Sequence, residues 1–370
     1  MQIEILNTSS SIDIDKWIPK ENKPFTIFGP CSAESEKQVL QTAAGIHANF
    51  PNNVYRAGIW KPRSRPGAFE GAGEKGLDWL VKVKELYGMQ VATEVATPEH
   101  LESCLKVGID MVWIGARTTV NPFSIQELAD ALKGVDIPVL VKNPINPDIS
   151  LWLGAIERIQ RAGVKQIAAI HRGFQSFESS VYRYSPRWEL VIDFKSQRPD
   201  IPVICDASHI SGTPELIESV VQKALDLDYQ GIMVETHHHP AIALSDAKQQ
   251  ITPVGLKSMM DNITIRKSEN VDIDFHQQLI ELRARVDSVD DLILQALISR
   301  NSLIEQIGNY KFEKNMTILQ MHRWEEILKR QLENGTSSGL NADFIKKIYE
   351  IIHNEAIGIQ TNLFHKRNSK

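Results

Sequence analysis

Eight short apolar runs recur between residues 25 and 236 and alternate with stretches of helical character. The runs are FTIFGPCS, VYRAGIW, MQVATEVA, MVWIGAR, PVLVKNP, KQIAAIHRG, PVICDASH and GIMVETH. Strands that are apolar throughout and alternate with helices predict a parallel sheet covered on both faces. Eight such units suit a (β/α)8 barrel of about 250 residues. A doubly wound open sheet, which usually has fewer strands, is the alternative.

The pattern changes near residue 263, where NITIRKSENVDID is polar and charged. We predict a barrel at residues 1–262, a linker at 263–274 and an all-α domain at 275–370. That domain is expected to hold a long helix, a medium one and a final one. Its apolar residues recur at helical spacing: Leu279, Leu282, Val286, Val289, Ile293, Leu297, Ile304 and Ile307. The long helix lacks partner surface within so small a domain, so we expect a homodimer or homotetramer that exchanges helices.

Composition excludes several classes of protein. The 370 residues are 42% hydrophobic and 24% charged, with a net charge of −5 that argues against a nucleic-acid partner. Three cysteines are too few for a disulfide framework, so a reduced compartment is expected. The opening MQIEILNTSSSIDID does not resemble a signal peptide, and no run approaches the roughly 20 apolar residues of a membrane span. We therefore expect a cytoplasmic protein without membrane contact.

Polar side chains follow every predicted strand. Barrel enzymes carry their active sites at the carboxyl ends of the strands, so these positions predict one catalytic mouth. In strand order they are Cys31, Arg56, Glu94, Arg117, Lys142, His171 with Arg172, Asp206 with His209, and Glu235.

Cations dominate this mouth. They are Arg56, Lys61, Arg117, Lys142 and Arg172, with Arg63 beside them. Such a group repels itself unless anions fill the space between its members. The number of cations indicates more than one anionic group, in keeping with two phosphorylated substrates. The alternative is a rim of solvated charges paired with Glu and Asp.

A metal site is the second candidate feature of the mouth. Its donors are one thiolate, one imidazole and two carboxylates, from Cys31, His209, Glu235 and Asp246. Such a mixed set suits Mn, Fe, Co or Zn. Cys31 is alternatively a small buried hydrophobe, and Asp246 a helix cap. Of the three histidines at residues 237–239, we expect at most one to have a direct role.

The barrel resembles a known family. GPCSAES, KPRSRPGAFEGAGEKGL, IGART, PVLVKNP, HRGF, CDASH and VET…ALSDAKQ together are similar to 3-deoxy-D-arabino-heptulosonate 7-phosphate (DAHP) synthase of the type I, β-like subgroup, over about residues 20–262. The resemblance implies condensation of phosphoenolpyruvate with erythrose 4-phosphate, the first step of the shikimate pathway to aromatic amino acids.

The same resemblance implies roles for residues. Metal ligands fall on Cys31, His209, Glu235 and Asp246, and phosphoenolpyruvate ligands on Arg56, Lys61, Arg117, Lys142 and Arg172. Lys61, Pro62, Arg63 and Ser64 would meet erythrose 4-phosphate, and Asp206 the sugar hydroxyls. Lys61 and Lys142 are candidates for proton transfer. Ser64 stands where Thr is usual and Arg65 where Ser is usual, which affects the sugar-phosphate contacts.

The helical part resembles a second family. LRARVDSVDDLILQALISRNSLIEQIGNYK is similar to the first helix of the all-helical chorismate mutases, and the likeness runs to Gln360. It implies rearrangement of chorismate to prephenate, with substrate ligands on Arg283, Arg300, Lys311, Arg323 and Gln360. At 100° per residue, Arg300 and Lys311 share a helix face. Arg283 lies on a different face, which suits a role in the substrate site of the partner subunit. Gln320 and Trp324 stand where some relatives carry acidic residues.

Two alternatives remain open. The barrel is alternatively a 3-deoxy-octulosonate 8-phosphate synthase, which uses arabinose 5-phosphate. The helical part is alternatively a dimerisation and sensing module without catalysis. Because only about twenty residues precede the first predicted strand, feedback by prephenate or chorismate is expected to act through the helical part.

Overall fold

The computed structural model describes residues 24–61, 67–176, 180–266 and 273–368. Contacts divide the chain into two compact units, Met1–Ser268 and Glu269–Lys370. The described part of the first unit alternates strands and helices, and that of the second is helical.

Eight parallel strands within the described residues close into a barrel. They are β1 (Phe25–Gly29), β2 (Val54–Arg56), β3 (Val91–Val95), β4 (Met111–Ile114), β5 (Val139–Lys142), β6 (Ile167–His171), β7 (Val203–Asp206) and β8 (Gly231–Glu235). Each strand pairs with the next, and β8 closes on β1 with Phe25 opposite Gly231 and Gly29 opposite Glu235. The predicted closed barrel is confirmed, and the open sheet is excluded.

Helices follow the strands on the outside of the barrel. They are α1 (Glu36–His47), α2 (Lys75–Tyr87), α3 (Pro98–Val107), α4 (Ala116–Thr119), α5 (Pro122–Ala131), α6 (Ile149–Arg161), α7 (Trp188–Gln197), α8 (Ala207–Ser211), α9 (Pro214–Asp226) and α10 (Pro253–Asn262), with short 3₁₀ helices at Pro240–Ile242 and Ala247–Gln249. Local sequence fixes several starts: the side chains of Ser35, Thr97 and Asp148 each accept a backbone N–H of the first turn.

Side chains fill the inside of the barrel. This inner cluster consists of Phe25, Ile27, Val54, Ala92, Met111, Trp113, Leu140, Ala168, Ile170, Ile204 and Met233. A larger cluster lies between strands and helices, where the rings of Trp152 and Phe194 stack with centroids 4.3 Å apart. The interior is therefore a packed core, and the carboxyl ends of the strands remain as the place for a site.

The second unit contains the three predicted helices, α11 (Ile273–Glu313), α12 (Met321–Ser337) and α13 (Ala342–Asn368). Helix α11 packs on α13, where the rings of Phe312 and Phe364 meet edge to face at 5.2 Å. Much of the apolar face of α11 is uncovered: Leu282, Val286, Val289 and Ile293 are each more than half exposed. Among the described helices of both units, none is long and apolar enough to cross a bilayer.

Candidate active sites

Cys31, Glu235 and Asp246 meet at the mouth of the barrel, with candidate ligand atoms all within 4.8 Å of one another. Cys31 follows β1 and Glu235 ends β8, so the pairing of these strands brings them together. Asp246 comes from the loop after β8 and has a left-handed backbone with φ 45°. One sulfur and two carboxylates thus converge from one seam of the barrel and the loop beyond it.

The electrostatics of this group suit a cation. Burial raises the pKa of the Cys31 thiol to about 12, and the charge of Glu235 acts in the same direction. Lys61 opposes it, with Nζ 3.3 Å from Sγ. Glu235 is fully buried, and its Oε1 has no hydrogen-bond partner among the described residues. Two carboxylates and a sulfur that lie this close together fit a divalent metal ion.

His209, the fourth predicted ligand, lies at the edge of this group. Its Nδ1 is 2.9 Å from Asp206 Oδ2 and 3.7 Å from Glu235 Oε1. Burial lowers the pKa of His209, although the charges of Asp206 and Glu235 oppose that shift. The ring is therefore held towards the neutral form that a metal requires. The structure brings three of the four predicted ligands into one group and pairs the fourth with Asp206.

Buried cations surround the group. Arg56 is 1% exposed, and its Nη2 lies 3.3 Å from Glu235 Oε1. Lys142 is 4% exposed, and its Nζ lies 2.7 Å from Asp206 Oδ2. Both cations also approach the ring of Trp113, at 4.9 Å for Arg56 and 5.7 Å for Lys142. These charges are buried and paired, as a desolvated charge requires, so they are not a solvated rim.

Arg172 has an unused buried donor, as Arg56 does at Nε. Arg172 is 6% exposed, and its Nη1 has no hydrogen-bond partner among the described residues. Its guanidinium lies 3.5 Å from the centroid of the Tyr184 ring. Burial lowers the pKa of Arg172, although Tyr184 and Asp206 oppose that shift. A buried guanidinium N–H without an acceptor marks a place for an anion.

The remaining predicted barrel residues are less central. Arg117 is exposed and lies in α4, three residues beyond the end of β4, so it follows that strand without ending it. Arg63 and Ser64 lie outside the described residues.

Two residues of this mouth escaped the sequence analysis. Gln249 donates through Nε2 to Glu235 Oε2 at 2.6 Å. Arg183 donates through Nη1 to Asp246 Oδ1 at 3.1 Å and also to Gln249 Oε1. Gln249 belongs to the ALSDAKQ motif, which was a usable signal. Arg183 lies between β6 and α7, and nothing in the sequence links it to Asp246.

The second unit gathers a smaller polar group. Lys311 Nζ donates to the Ile318 carbonyl at 2.6 Å, and Arg300 Nη1 to the Ile352 carbonyl at 3.5 Å. Gln360 is 5% exposed, and its Oε1 has no partner among the described residues. Gly308 makes room for it, since a Cβ there would lie 3.0 Å from Gln360 Cγ.

His353 joins this group and was not anticipated. Its ring stacks on Trp324 with centroids 4.1 Å apart. Burial lowers the pKa of His353, and the charges of Arg300 and Lys311 lower it further. Arg283 and Arg323 are exposed, and Arg323 Nη1 lies 3.1 Å from Glu326 Oε2. Two of the four predicted cations therefore influence one imidazole, and the other two lie on the surface of the single chain.

Comparison with protein families covers both units. The DAHP synthetase I family model matches residues 6–269, more than half of the chain. This chain belongs to that family. A second model, chorismate mutase type II, matches residues 282–361. The DAHP synthetase I family barrel is thus followed by an all-helical chorismate mutase type II region, and both predicted resemblances are confirmed.

Individual relatives agree with the family. Phospho-2-dehydro-3-deoxyheptonate aldolase of Thermotoga maritima is 33% identical over 231 residues, which are 62% of this chain and 66% of that protein, just under two thirds. A crystal structure of the Thermotoga maritima protein of that name, also called DAHP synthase, is 30% identical with a TM-score of 0.57, covering 64% of this chain and 67% of that chain. The 2-dehydro-3-deoxyphosphooctonate aldolase of Variovorax paradoxus is 27% identical over 272 residues, or 65% of this chain and 88% of that protein.

Proposed function

We propose that the barrel condenses phosphoenolpyruvate with erythrose 4-phosphate and water, giving DAHP and phosphate. The observation that carries the proposal is the free Nη1 donor of buried Arg172, at the carboxyl end of β6 in the barrel whose mouth holds the Cys31–Glu235–Asp246 group. An unused buried guanidinium donor calls for an anionic ligand, and phosphoenolpyruvate carries both a carboxylate and a phosphate. Family membership supports the same reaction.

The proposed metal ligands are Cys31, His209, Glu235 and Asp246, for Mn, Fe, Co or Zn. When bound, such an ion supplies Lewis acidity at the aldehyde oxygen of the sugar phosphate. Arg56, Arg172 and Lys142 hold the anionic groups of phosphoenolpyruvate, assisted by Arg117. Arg63 and Ser64 meet the sugar phosphate in this scheme, and Asp206 its hydroxyls.

In the reaction, C3 of phosphoenolpyruvate forms a bond to the aldehyde carbon, and water adds at C2. The bond from C2 to the phosphate oxygen breaks, and phosphate leaves. The aldehyde oxygen gains one proton of the attacking water, and the second proton leaves with the phosphate as the new hydroxyl at C2 becomes the carbonyl. Lys61 and Lys142 move these protons in our proposal; Lys61 Nζ contacts Cys31 Sγ at 3.3 Å, and Lys142 Nζ contacts Asp206 at 2.7 Å, which puts both amines in the barrel mouth.

We further propose that the helical unit rearranges chorismate to prephenate. Chorismate is a dicarboxylate, and Arg300, Lys311 and Arg323 supply cations, with Arg283 reaching in from a second copy. Lys311 and buried Gln360 then face the ether oxygen, where negative charge develops as the bond breaks. No nucleophile is needed, because the side chains hold one reactive conformer of the substrate.

A second copy of the chain completes this unit in our proposal. The exposed face of α11 at Leu282, Val286, Val289 and Ile293 is the surface that a homodimer, or a dimer within a homotetramer, would cover. Prephenate or chorismate bound to the helical unit would inhibit the barrel. This regulation is abandoned if prephenate leaves the phosphate release of the intact chain unchanged.

The relatives named 2-dehydro-3-deoxyphosphooctonate aldolase favour a second candidate, in which the barrel uses arabinose 5-phosphate. One experiment separates the two. Phosphate release from phosphoenolpyruvate is measured with each sugar phosphate, with and without a chelator. We expect release with erythrose 4-phosphate that the chelator abolishes. Release only with arabinose 5-phosphate would establish the alternative.

The helical unit needs its own assay. Loss of chorismate and appearance of prephenate are followed with the full chain and with its Lys311→Met variant. We expect conversion that the variant loses. A full chain that dimerises but converts no chorismate would instead be a dimerisation and sensing module.

A further inference from the structure

We propose that Gln249 and Arg183 form a carboxylate clamp, a pair of positioning residues that holds Glu235 and Asp246 in the geometry a divalent metal requires. This inference rests on the proposed metal site. The clamp residues touch the candidate ligands rather than the metal or the substrates. Their role is to fix the orientations of the Glu235 and Asp246 carboxylates.

Gln249 holds one oxygen of Glu235. Its side chain is almost completely buried, at 1% exposure, and Nε2 donates to Glu235 Oε2 at 2.6 Å. The other oxygen, Oε1, accepts no hydrogen bond among the described residues and lies 3.3 Å from Arg56 Nη2. With Oε2 held by the amide, the carboxylate cannot rotate freely, so the position of Oε1 is fixed as well.

Arg183 holds the second carboxylate and also orients the amide. Its Nη1 donates to Asp246 Oδ1 at 3.1 Å and to the amide oxygen of Gln249. A guanidinium has only donors, so the amide oxygen of Gln249 must face Arg183. The amide nitrogen must then face Glu235. One cation therefore sets the direction of every hydrogen bond in the chain Asp246–Arg183–Gln249–Glu235.

The backbone places both members of the clamp. Gln249 ends the short 3₁₀ helix that follows Asp246, and its N–H donates to the Asp246 carbonyl at 3.1 Å. Arg183 comes from the segment between β6 and α7, and its N–H donates to the Ser211 carbonyl at 3.3 Å. The clamp thus ties the loop after β8 to the segment after β6, across the end of β7.

Charge alone predicts the opposite behaviour for Arg183. A guanidinium next to a cation site repels the ion, so its removal would raise metal affinity if electrostatics dominated. If Arg183 acts by positioning, its removal lowers metal affinity despite the lost repulsion. Outer partners of metal ligands typically change affinity about 10- to 100-fold when they are removed. The sign of the change therefore separates the two roles.

The test uses the full chain, with Co²⁺ alone as the probe. Affinity is measured by competition with a chelator, and the thiolate-to-Co²⁺ absorption band reports the environment of Cys31. We expect Gln249→Met and Arg183→Met each to weaken Co²⁺ binding about 10- to 100-fold and to shift the band. The double variant should be little worse than either single one, because the two residues act in series.

Gln222→Met is the matched control. The amide of Gln222 also donates to a carboxylate, that of Asp226 at 2.9 Å, but on the exposed surface of α9. It should leave Co²⁺ affinity and the band unchanged. Melting of the metal-free variants reports on folding, and Arg183, whose side chain is 40% exposed, provides a test that leaves the core intact.

The outcomes are distinct. Unchanged or tighter Co²⁺ binding in Arg183→Met, or unchanged binding in a folded Gln249→Met, overturns the clamp while the metal site stands. A parent chain that binds no Co²⁺ overturns the proposed metal site itself.

Discussion

Lys142 Nζ lies 2.7 Å from Asp206 Oδ2, and the two side chains are 5% and 0% exposed. Burial alone would raise the pKa of Asp206, but the charges of His209 and Lys142 hold it well below its usual range. Asp206 therefore stays ionised inside the barrel mouth. A buried pair of this kind is weak evidence for net stability, yet the loss of one partner leaves an uncompensated charge.

We predict that Lys142→Met lowers the free energy of unfolding by about 3–5 kcal/mol, measured by chemical denaturation. The control is Lys82→Met, which breaks a pair of the same 2.7 Å length with Glu36, both side chains 45% exposed. That change should lower the free energy of unfolding by less than about 1 kcal/mol. Equal effects would contradict the argument from burial.

Cys31→Ser should abolish tight metal binding, because the sulfur is the soft donor of the group. We expect the rate of phosphate release to fall by more than about 100-fold. That loss exceeds the effect of removing a residue that only contacts a metal ligand. Cys104→Ser is the control, since Cys104 is also a buried thiol but lies in α3. Full activity of Cys31→Ser with the metal retained would remove Cys31 from the ligand set.

Arg172→Lys should raise KM for phosphoenolpyruvate more than it lowers kcat. Lysine keeps the charge but loses the guanidinium fork that leaves Nη1 free for an anion. A charged hydrogen bond is worth about 1.5–3 kcal/mol, or about 10- to 150-fold in KM. The matched change Arg187→Lys alters a half-exposed cation beside Glu189 and should leave KM unchanged. An unchanged KM in Arg172→Lys would place the anion elsewhere.

Acid stability should depend on His171. Burial lowers the pKa of His171 to about 3 from an ordinary 6.5. Between these values the unfolded chain binds more protons than the folded one, so stability is full above pH 6.5 and falls as the pH drops towards 3. The slope is about 1.4 kcal/mol per pH unit.

The measurement is the free energy of unfolding between pH 4 and pH 7. His171→Asn should flatten this dependence, whereas replacement of the exposed His322 by Gln should not. An equally steep loss of stability in His171→Asn would assign the effect to another group.

Val286→Asp should weaken dimerisation through α11. Val286 is 58% exposed in the single chain, and a carboxylate buried there by a partner lacks a donor. We expect the dissociation constant to rise at least about 30-fold, corresponding to about 2 kcal/mol, in sedimentation experiments. Ser288→Asp adds the same charge at another exposed position of α11 and is the control. Equal association of parent and Val286→Asp would show that another surface pairs.

Much of the barrel is predictable because its signals are local. Arg56, Lys142, His171, Asp206 and Glu235 each end a strand as predicted, since an apolar run stops where a charge begins. Arg117 fails this rule because β4 already ends at Ile114 and a short helix follows. Periodicity likewise predicts three helices after the barrel, and the structure contains them.

The parts of the site that sequence could not show depend on how loops fold over the mouth. Arg183 and Asp246 are 63 residues apart, and their contact has no local signature. His209 contacts Asp206 rather than joining Cys31, Glu235 and Asp246. This difference depends on side-chain rotation within one turn, which the sequence does not reveal. The ring of His353 stacks on that of Trp324 and so joins two helices. The spacing of residues in the sequence does not determine how these helices align with each other.

Closure of the sheet has a further consequence for synthesis. The first strand, β1, meets its final neighbour β8 only after about 200 more residues have been made, since Phe25 lies opposite Gly231. At about 5–20 residues per second, that interval is roughly 10–40 s on the ribosome. Throughout it, one hydrogen-bonding edge of β1 is open to wrong partners. Chaperone demand during translation should therefore be set by the last strand rather than the first.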